Sequence, residues 1–282
     1  MINTIDNEKS GRSIARTKYA LLTILLGLFA AFPAKSLKAE TSSLNYRLAA
    51  LVKAYPEHLW GIDGRFLVWL DGQRTLIDDG KPKTHQQKLK SADIEDMLSQ
   101  TYPLEACYYA TPSKNFDPGR IRSQAFFRKM YGSSQKVVRN NIVSIAWFDR
   151  TIQVTRVNDI DIKLSRIARE LEQLPHQFHK YVRKIDGAFN WRTIAGTKRL
   201  SLHSFGMAID INKDYADYWL WTGLKTGNAH VIHNKIPHQI IDIFKRYGFI
   251  WGGKWYHHDT MHFEYRPEML AFATTSHNQI CN

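Results

Sequence analysis

Two short segments of this chain carry side chains whose types and spacing suit metal chemistry. His203 and Asp210 lie in the first segment, and Asp259 and His262 lie in the second. Two imidazoles and one carboxylate form the protein ligand set of many catalytic zinc sites, in which a fourth position stays open for water. The sequence therefore predicts one zinc ion bound by His203, Asp210 and His262.

Asp259 has a different predicted role because of its place in the second segment. It lies three residues before His262, where a turn leading into a strand can direct its carboxylate at the open position. A carboxylate placed there can act as a general base towards water. The alternative for any one of these residues is an ordinary hydrogen-bonded surface or core group, and only the match of the whole set favours metal chemistry.

Alternating hydrophobicity predicts that strands present these side chains. Over residues 206–212, three apolar side chains fall on one face and Asp210 falls on the other. Residues 261–265 alternate in the same way, with His262 and Glu264 on the polar face. Since successive side chains of a strand point to opposite faces, each strand can bury its apolar face and project its polar groups towards a shared site.

The order and spacing of these residues resemble those of a known family. The patterns S-x-H-x-x-G-x-A-x-D and D-x-x-H-F-E are similar to those of the zinc D-alanyl-D-alanine peptidases, over roughly residues 187–267. That family includes D,D-dipeptidases, D,D-carboxypeptidases and L-alanyl-D-glutamate endopeptidases of phages and bacteria. The resemblance implies zinc on His203, Asp210 and His262, and peptidoglycan stem peptides as substrates.

The resemblance also implies an α+β fold. A small antiparallel sheet carries the zinc site, with flanking helices, in the manner of hedgehog and D,D-peptidase domains. We expect residues 159–282 to form this catalytic domain and residues 40–158 to form an α+β accessory region packed on it. Helices are predicted at 42–55, 91–98 (with Ser91 as its cap), 123–131, 162–185 (interrupted at Pro175) and 237–247, and hairpins at 65–77 and 141–157.

Two further features bear on the substrate. Many carboxypeptidase-type members carry Glu where this chain has Asp259, whereas endopeptidase-type members tend to carry Asp. This difference favours an endopeptidase but leaves the carboxypeptidase open. The family places a substrate-binding arginine upstream of the first zinc histidine, and Arg192 matches it best, with Arg199 as the second candidate. A guanidinium fork suits the carboxylates of such peptides.

Several neighbours of the predicted site have two interpretations each. Glu264 either orients a ligand imidazole or forms a salt bridge at the surface. The pair His257 and His258 is expected to support the site from outside the ligand set or to face solvent. The residues that either line a substrate cleft or serve as core and turn residues are Asp78, Asp79, Asp117, Arg120, Arg122, Tyr215, Tyr218, Trp219, Trp221 and Trp255.

The N-terminus has the pattern of a secretory signal. Basic residues precede a short apolar run at 19–32, and small residues follow it. We therefore predict a signal peptide at 1–39 and an exported protein, periplasmic or extracellular, with an uncleaved anchor as the alternative. The two cysteines, Cys107 and Cys281, either form a disulfide in that compartment or remain separate thiols.

The charge balance points to anionic partners. Residues 1–39 carry six Lys/Arg and two Asp/Glu of a chain whose net charge is +13, so the remainder keeps +9. A basic surface suits cell-wall polymers or lipid headgroups. We expect no nucleic-acid partner, because no Lys/Arg block interleaved with aromatic residues is present.

These observations predict an exported zinc peptidase that cleaves peptidoglycan peptides. Zinc activates a water, and Asp259 acts as general base. The principal alternative is a non-catalytic cell-wall-binding module that retains a zinc site. A basic nucleic-acid or membrane-surface binder, with steep salt dependence and no zinc requirement, is the other.

Overall fold

The computed structural model describes residues 34–104, 112–194, 196–221 and 232–273, with side chains from residue 43 onwards. Both cysteines and most of the predicted signal peptide lie outside these residues. The described part mixes helices with small antiparallel sheets, so the predicted α+β class is confirmed.

The N-terminal part begins with a helix followed by a three-stranded sheet. The predicted hairpin is confirmed, because two strands pair around a turn in which Gly72 has a φ of +80°. An additional strand, which the sequence analysis did not predict, pairs with the first of them. In order, the elements are α1 (Ala34–Ala54), β1 (Leu59–Asp63), β2 (Phe66–Trp69), β3 (Arg74–Leu76), α2 (His85–Ser91) and α3 (Ile94–Leu98).

The predicted helix cap at Ser91 is wrong. Ser91 is the last residue of α2, and α3 starts only after Asp93. The Asp93 side chain accepts a hydrogen bond from the Asp96 N–H, and the Asp96 side chain accepts one from the Asp93 N–H. This reciprocal pair satisfies two amide donors at the helix start, which a serine two residues earlier does not reach.

The middle of the chain follows the predicted order. Its elements are α4 (Gln124–Tyr131), α5 (Gln135–Arg139), β4 (Ile142–Trp147), β5 (Arg150–Thr155), α6 (Ile160–Glu172) and α7 (His179–Val182). The break expected at Pro175 separates α6 from α7, because proline cannot donate the backbone hydrogen bond that a continuous helix needs. The strands β4 and β5 form the second predicted hairpin.

The C-terminal part carries a four-stranded antiparallel sheet in the order β6-β7-β9-β8. Its strands are β6 (Ile185–Gly187), β7 (Ala208–Ile211), β8 (Phe249–Trp251) and β9 (His262–Tyr265), accompanied by α8 (His238–Arg246) and α9 (Pro267–Ala271). Ile240, Ile243 and Phe244 bury the inner face of α8, as its periodicity predicts. The two central strands carry two of the three candidate ligands, Asp210 and His262.

Buried contacts join the N-terminal part to this sheet. Helix α1 packs on α9, and the Tyr55 hydroxyl donates to Glu268 over 2.7 Å. Arg266 Nε lies 2.5 Å from Glu268 Oε1, and both side chains are fully buried. Because a buried charge is costly unless paired, this cluster ties the two parts of the chain together.

The β4–β5 hairpin packs directly against the turn that precedes β7. Thr155 N–H donates to Gly206 O over 3.1 Å. A Cβ atom at position 206 would lie 2.7 Å from Ile142 Cδ1 and 2.8 Å from Thr155 N. Gly206 also has a φ of +69°. Only glycine fits both the backbone conformation and the close approach.

Among the described helices, none combines the length and apolar character needed to cross a membrane. Helix α1 starts at Ala34, inside the segment predicted as signal peptide.

Candidate metal centre

The pairing of β7 with β9 sets the centre of the site. In this antiparallel pair, Asp210 lies directly opposite His262. His203 comes from a 3-10 turn, Leu202–Phe205, that ends at Gly206 and leads into β7. Three side chains that are separated along the chain therefore converge at one place.

The donor atoms of these three side chains lie close together. His203 Nε2 is 3.1 Å from Asp210 Oδ2 and 3.2 Å from His262 Nδ1. His262 Nδ1 is 2.8 Å from Asp210 Oδ1. Ligands bound to zinc by bonds of ~2.1 Å in a tetrahedral arrangement stand about 3.4 Å apart. The three donors thus fit a single zinc ion after small adjustments.

The outer nitrogen of each imidazole has a hydrogen-bond acceptor. His203 Nδ1 is 2.9 Å from Ala188 O, and His262 Nε2 is 2.9 Å from Glu264 Oε2. A carbonyl can only accept, so Nδ1 of His203 carries a proton and its Nε2 presents a lone pair to the centre. Oriented imidazoles of this kind are typical of metal sites.

Glu264 is fully buried, which excludes the interpretation as a surface salt bridge. It contacts Arg122 and lies 3.2 Å from Arg266 Nη1. Burial alone would raise the pKa of Glu264, but Arg122 and the hydrogen bond from His262 lower that pKa to about 2. Glu264 is therefore a carboxylate at neutral pH and can accept the His262 proton.

The pKa shifts of Asp210 and His262 indicate that the site stabilises a positive charge. Burial would raise the pKa of Asp210, but the imidazoles of His203 and His262 lower it well below the usual range. Burial would lower the pKa of His262, yet its hydrogen bonds to Asp210 and Glu264 raise that pKa to about 10. Without metal, a proton supplies the charge that a cation would bring.

Asp259 lines the same pocket but takes no part in the cluster of three. Its backbone is fixed, because Asp259 N–H donates to Gly252 O over 3.0 Å and Asp259 O accepts from His262 N–H over 3.2 Å. Its side-chain Oδ1 is buried and has no hydrogen-bond partner in the described part of the chain. Burial, reinforced by the Asp210 carboxylate, raises the pKa of Asp259 to about 6.

The residues of this site therefore fit a bound metal ion. Three converging donors, two oriented imidazoles and an unpartnered carboxylate oxygen meet in one pocket. A buried carboxylate oxygen without a hydrogen bond lowers the stability of a folded protein. A water molecule or substrate beside a metal can supply that hydrogen bond.

Four arginines line the pocket, Arg120, Arg122, Arg192 and Arg199. The Arg192 side chain is exposed, while its backbone is fixed by Ser204, whose hydroxyl accepts from Arg192 N–H over 2.9 Å. Arg199 Nε is buried without a hydrogen-bond partner among the described residues. Burial and then the charges of Arg122 and Arg120 lower the pKa of Arg199 to about 10. The pocket is accordingly shaped for anionic groups.

Arg120 is a pocket residue for which the sequence analysis favoured no role. It enters from the loop before α4, with its guanidinium 5.7 Å from the centre of the Trp219 ring. Its Nη1 is buried with no hydrogen-bond partner in the described ranges, although it lies 3.7 Å from Asp117 Oδ1. The sequence motifs around the candidate ligands do not extend to this loop, so only the tertiary structure brings it to the site.

Aromatic side chains complete the walls. Tyr218, Trp219 and Trp255 line the pocket, whereas the Trp221 side chain is 57% exposed. Trp255 is buried and donates from Nε1 to Pro118 O over 2.5 Å. Of the two interpretations of the 214–221 segment, lining of the cleft therefore applies to Tyr218 and Trp219.

His257 and His258 do not join the three converging donors. His258 is fully buried, with Nε2 3.3 Å from Asp217 Oδ2. His257 lines the pocket and contacts Asp117 through its Nδ1 over 2.7 Å. We call the cluster of His203, Asp210 and His262 the first centre, and neither His257 nor His258 belongs to it.

Comparison with protein families gives one match, over residues 195–265, to the family described as D-alanyl-D-alanine carboxypeptidase. The family resemblance is thereby confirmed for this segment, which contains the three predicted ligands and Asp259. The match supports a peptidase that acts on peptidoglycan. Comparisons with curated proteins and with solved structures give no match.

Proposed function

We propose that this chain is an exported zinc peptidase that hydrolyses peptide bonds in the stem peptides of peptidoglycan. One observation carries the proposal. In each pair among the side chains of His203, Asp210 and His262, the nearest nitrogen and oxygen donor atoms are no more than 3.2 Å apart. Beside them lies an Asp259 carboxylate oxygen that has no partner among the described residues. A non-catalytic wall-binding module has no need of that unpaired carboxylate.

A zinc ion held by the three side chains would lower the pKa of a water molecule towards neutrality and polarise the scissile carbonyl. Asp259 would accept the proton of the water as its oxygen attacks the carbonyl carbon. The same carboxyl would then donate this proton to the leaving amide nitrogen, which completes the hydrolysis. Glu264 and the Ala188 carbonyl hold the imidazoles in place throughout.

Arginines of the pocket that are not paired with Glu264 would bind the carboxylates of the substrate. Stem peptides carry such groups at their C-terminus and on their side chains, and guanidinium pairs them with two parallel hydrogen bonds. Arg192 remains our proposed substrate-binding residue because its guanidinium is exposed at the pocket. Asp259 in place of Glu favours the L-alanyl-D-glutamate endopeptidase type over the D,D-carboxypeptidase.

Export is part of the proposal, since the substrate lies outside the cytoplasm. N-terminal sequencing of the mature protein should find a start between residues 35 and 40. Recovery only from the cytoplasm, with Met1 intact, would contradict export. The net charge of +9 in residues 40–282 favours retention at the anionic wall or membrane surface.

Digestion of purified muropeptides tests the activity. Zinc-loaded protein should release products whose masses identify one cleaved bond, and His203→Ala should release none. Cleavage between L-Ala and D-Glu supports the endopeptidase, whereas loss of the terminal D-Ala supports the carboxypeptidase. Wall binding without any cleavage by the zinc-loaded protein would instead establish the non-catalytic module.

A further inference from the structure

A second group of metal-competent side chains lies beside the first centre. It consists of His85, Asp117 and His257, which come from the first turn of α2, from the loop before α4 and from the loop before β9. One donor atom from each lies within 4.8 Å of the other two. Two imidazoles and one carboxylate are the same ligand types as in the first centre.

A single carboxylate oxygen faces both imidazoles of this group. Asp117 Oδ2 is 2.7 Å from His257 Nδ1 and 3.2 Å from His85 Nε2. His85 Nε2 is buried, and Asp117 Oδ2 is the carboxylate oxygen that faces it. Two imidazole nitrogens that converge on one carboxylate oxygen at these separations suit ligands of a single cation.

The other carboxylate oxygen is already occupied. Asp117 Oδ1 accepts the backbone N–H of His257 over 2.8 Å and lies 3.7 Å from Arg120 Nη1. Asp117 is itself 0% exposed, and its N–H donates to Gln100 Oε1 over 2.7 Å. The carboxylate is therefore locked in one orientation, with Oδ2 left to the two histidines.

Both histidines are also held in place by their surroundings. A capping box between Thr84 and Gln87 fixes the start of α2, where His85 is the first residue. The Trp219 and Tyr256 rings pack edge-on against His257, with centroids 4.7 Å and 4.9 Å from it. Such rigid support lowers the entropy cost of binding and is the arrangement that metal sites require.

From this geometry we propose that His85, Asp117 and His257 bind a second divalent transition-metal ion, for which zinc is the probe. The distances from Asp117 Oδ2 to the two imidazole nitrogens, 2.7 Å and 3.2 Å, match the distances of 2.8–3.2 Å between donor atoms in the first centre. The ion would join α2 to the loop that carries Asp259, so it would fasten the N-terminal part onto the pocket wall. The proposal does not depend on the peptidase activity.

Metal counting on the full chain tests this proposal. Protein stripped with a chelator, reloaded with zinc and separated from free metal should hold two zinc ions per chain by elemental analysis. His85→Ala and His203→Ala should each hold one, and the double variant none. His176→Ala is the matched control, because His176 is exposed and belongs to neither group.

The variants also separate the two centres from each other. If the wild-type chain holds one zinc, and His203→Ala loses it while His85→Ala keeps it, the second site is refuted and the first stands. One zinc with the opposite dependence would refute the first centre and support the second. Far-UV circular dichroism verifies folding, and His85→Gln replaces His85→Ala if the alanine variant does not fold.

Discussion

Asp210 lies directly opposite His262 in the antiparallel pair β7–β9, and their nearest side-chain atoms, Oδ1 and Nδ1, are 2.8 Å apart. The strand register therefore determines how far apart these two candidate ligands lie. A shift of the register by one residue would place the two side chains on opposite faces of the sheet. The position of His203 depends in turn on the tight turn at Gly206, because this turn joins the segment that carries His203 to strand β7.

The first prediction concerns Gly206→Ala. The added Cβ atom would lie less than 3.0 Å from atoms of Ile142 and Thr155, and the alanine would have to keep a backbone φ of +69°. We therefore expect the free energy of unfolding to fall by about 2–4 kcal/mol. Gly80→Ala is the matched control, because its φ is +71° but no atom lies within 4 Å. It should lose only about 1 kcal/mol. Equal losses in urea unfolding would refute the close-packing argument.

The second prediction concerns Glu264→Gln. The amide retains the shape but weakens the acceptor for the His262 proton and leaves Arg122 without its buried partner. We expect zinc affinity to fall about 10- to 100-fold, as measured by chelator competition. Glu172→Gln, at an exposed position of α6, should leave the affinity unchanged. Unchanged affinity in Glu264→Gln would show that Glu264 does not orient the ligand.

Sequence patterns predicted that His203, Asp210 and His262 would lie together, because the strands that carry Asp210 and His262 can be recognised from local sequence. Alternation around Asp210 and His262 indicated strands with a polar face, and the structure contains both strands. The break at Pro175 and the start of α8 after Pro237 were predictable for the same reason, since proline restricts its own backbone.

The rest of the site could not be read from local pattern. Arg120 and Asp117 belong to a loop that meets the pocket only through tertiary packing. The hydrogen bond from His203 to Ala188 O involves a backbone carbonyl, which every residue type possesses. The error at Ser91 arose because Ser and Asp are equally good caps, and the reciprocal hydrogen bonds between Asp93 and Asp96 favour Asp93.

The third prediction concerns pH and the metal-free protein. The folded state raises the pKa of Asp259 to about 6, so the unfolded state releases its proton at lower pH. This group therefore stabilises the fold least at neutral pH, and stability falls as the pH rises from about 4 to 6. Asp259→Asn should remove that loss and stabilise metal-free protein at pH 7 by about 1–3 kcal/mol. With zinc bound, whose charge lowers the pKa of Asp259, the difference should vanish. A persistent difference in the zinc-loaded form would contradict this account.

The fourth prediction concerns Arg192→Ala. Loss of a charged hydrogen bond to the substrate should lower kcat/KM about 10- to 100-fold, mainly through KM. Amidation of the substrate carboxylates should lower kcat/KM of the wild-type enzyme to a similar extent. It should not lower kcat/KM of the variant further. Lys198→Ala, at an exposed neighbouring position, is the control for net charge. If Arg199→Ala alone produces this pattern, Arg199 and not Arg192 binds the carboxylate.

The account rests most directly on the separate roles of Asp259 and of the three ligands. Zinc content and turnover of a peptidoglycan peptide should be measured together for wild type, Asp259→Asn and His262→Ala. Asp259→Asn should keep its first-centre zinc while turnover falls by about two to four orders of magnitude, because only the proton acceptor is lost. His262→Ala should lose both that zinc and the activity. Near-native turnover in Asp259→Asn would contradict its role as base, and release of the zinc would make Asp259 a fourth ligand of a closed, non-catalytic site.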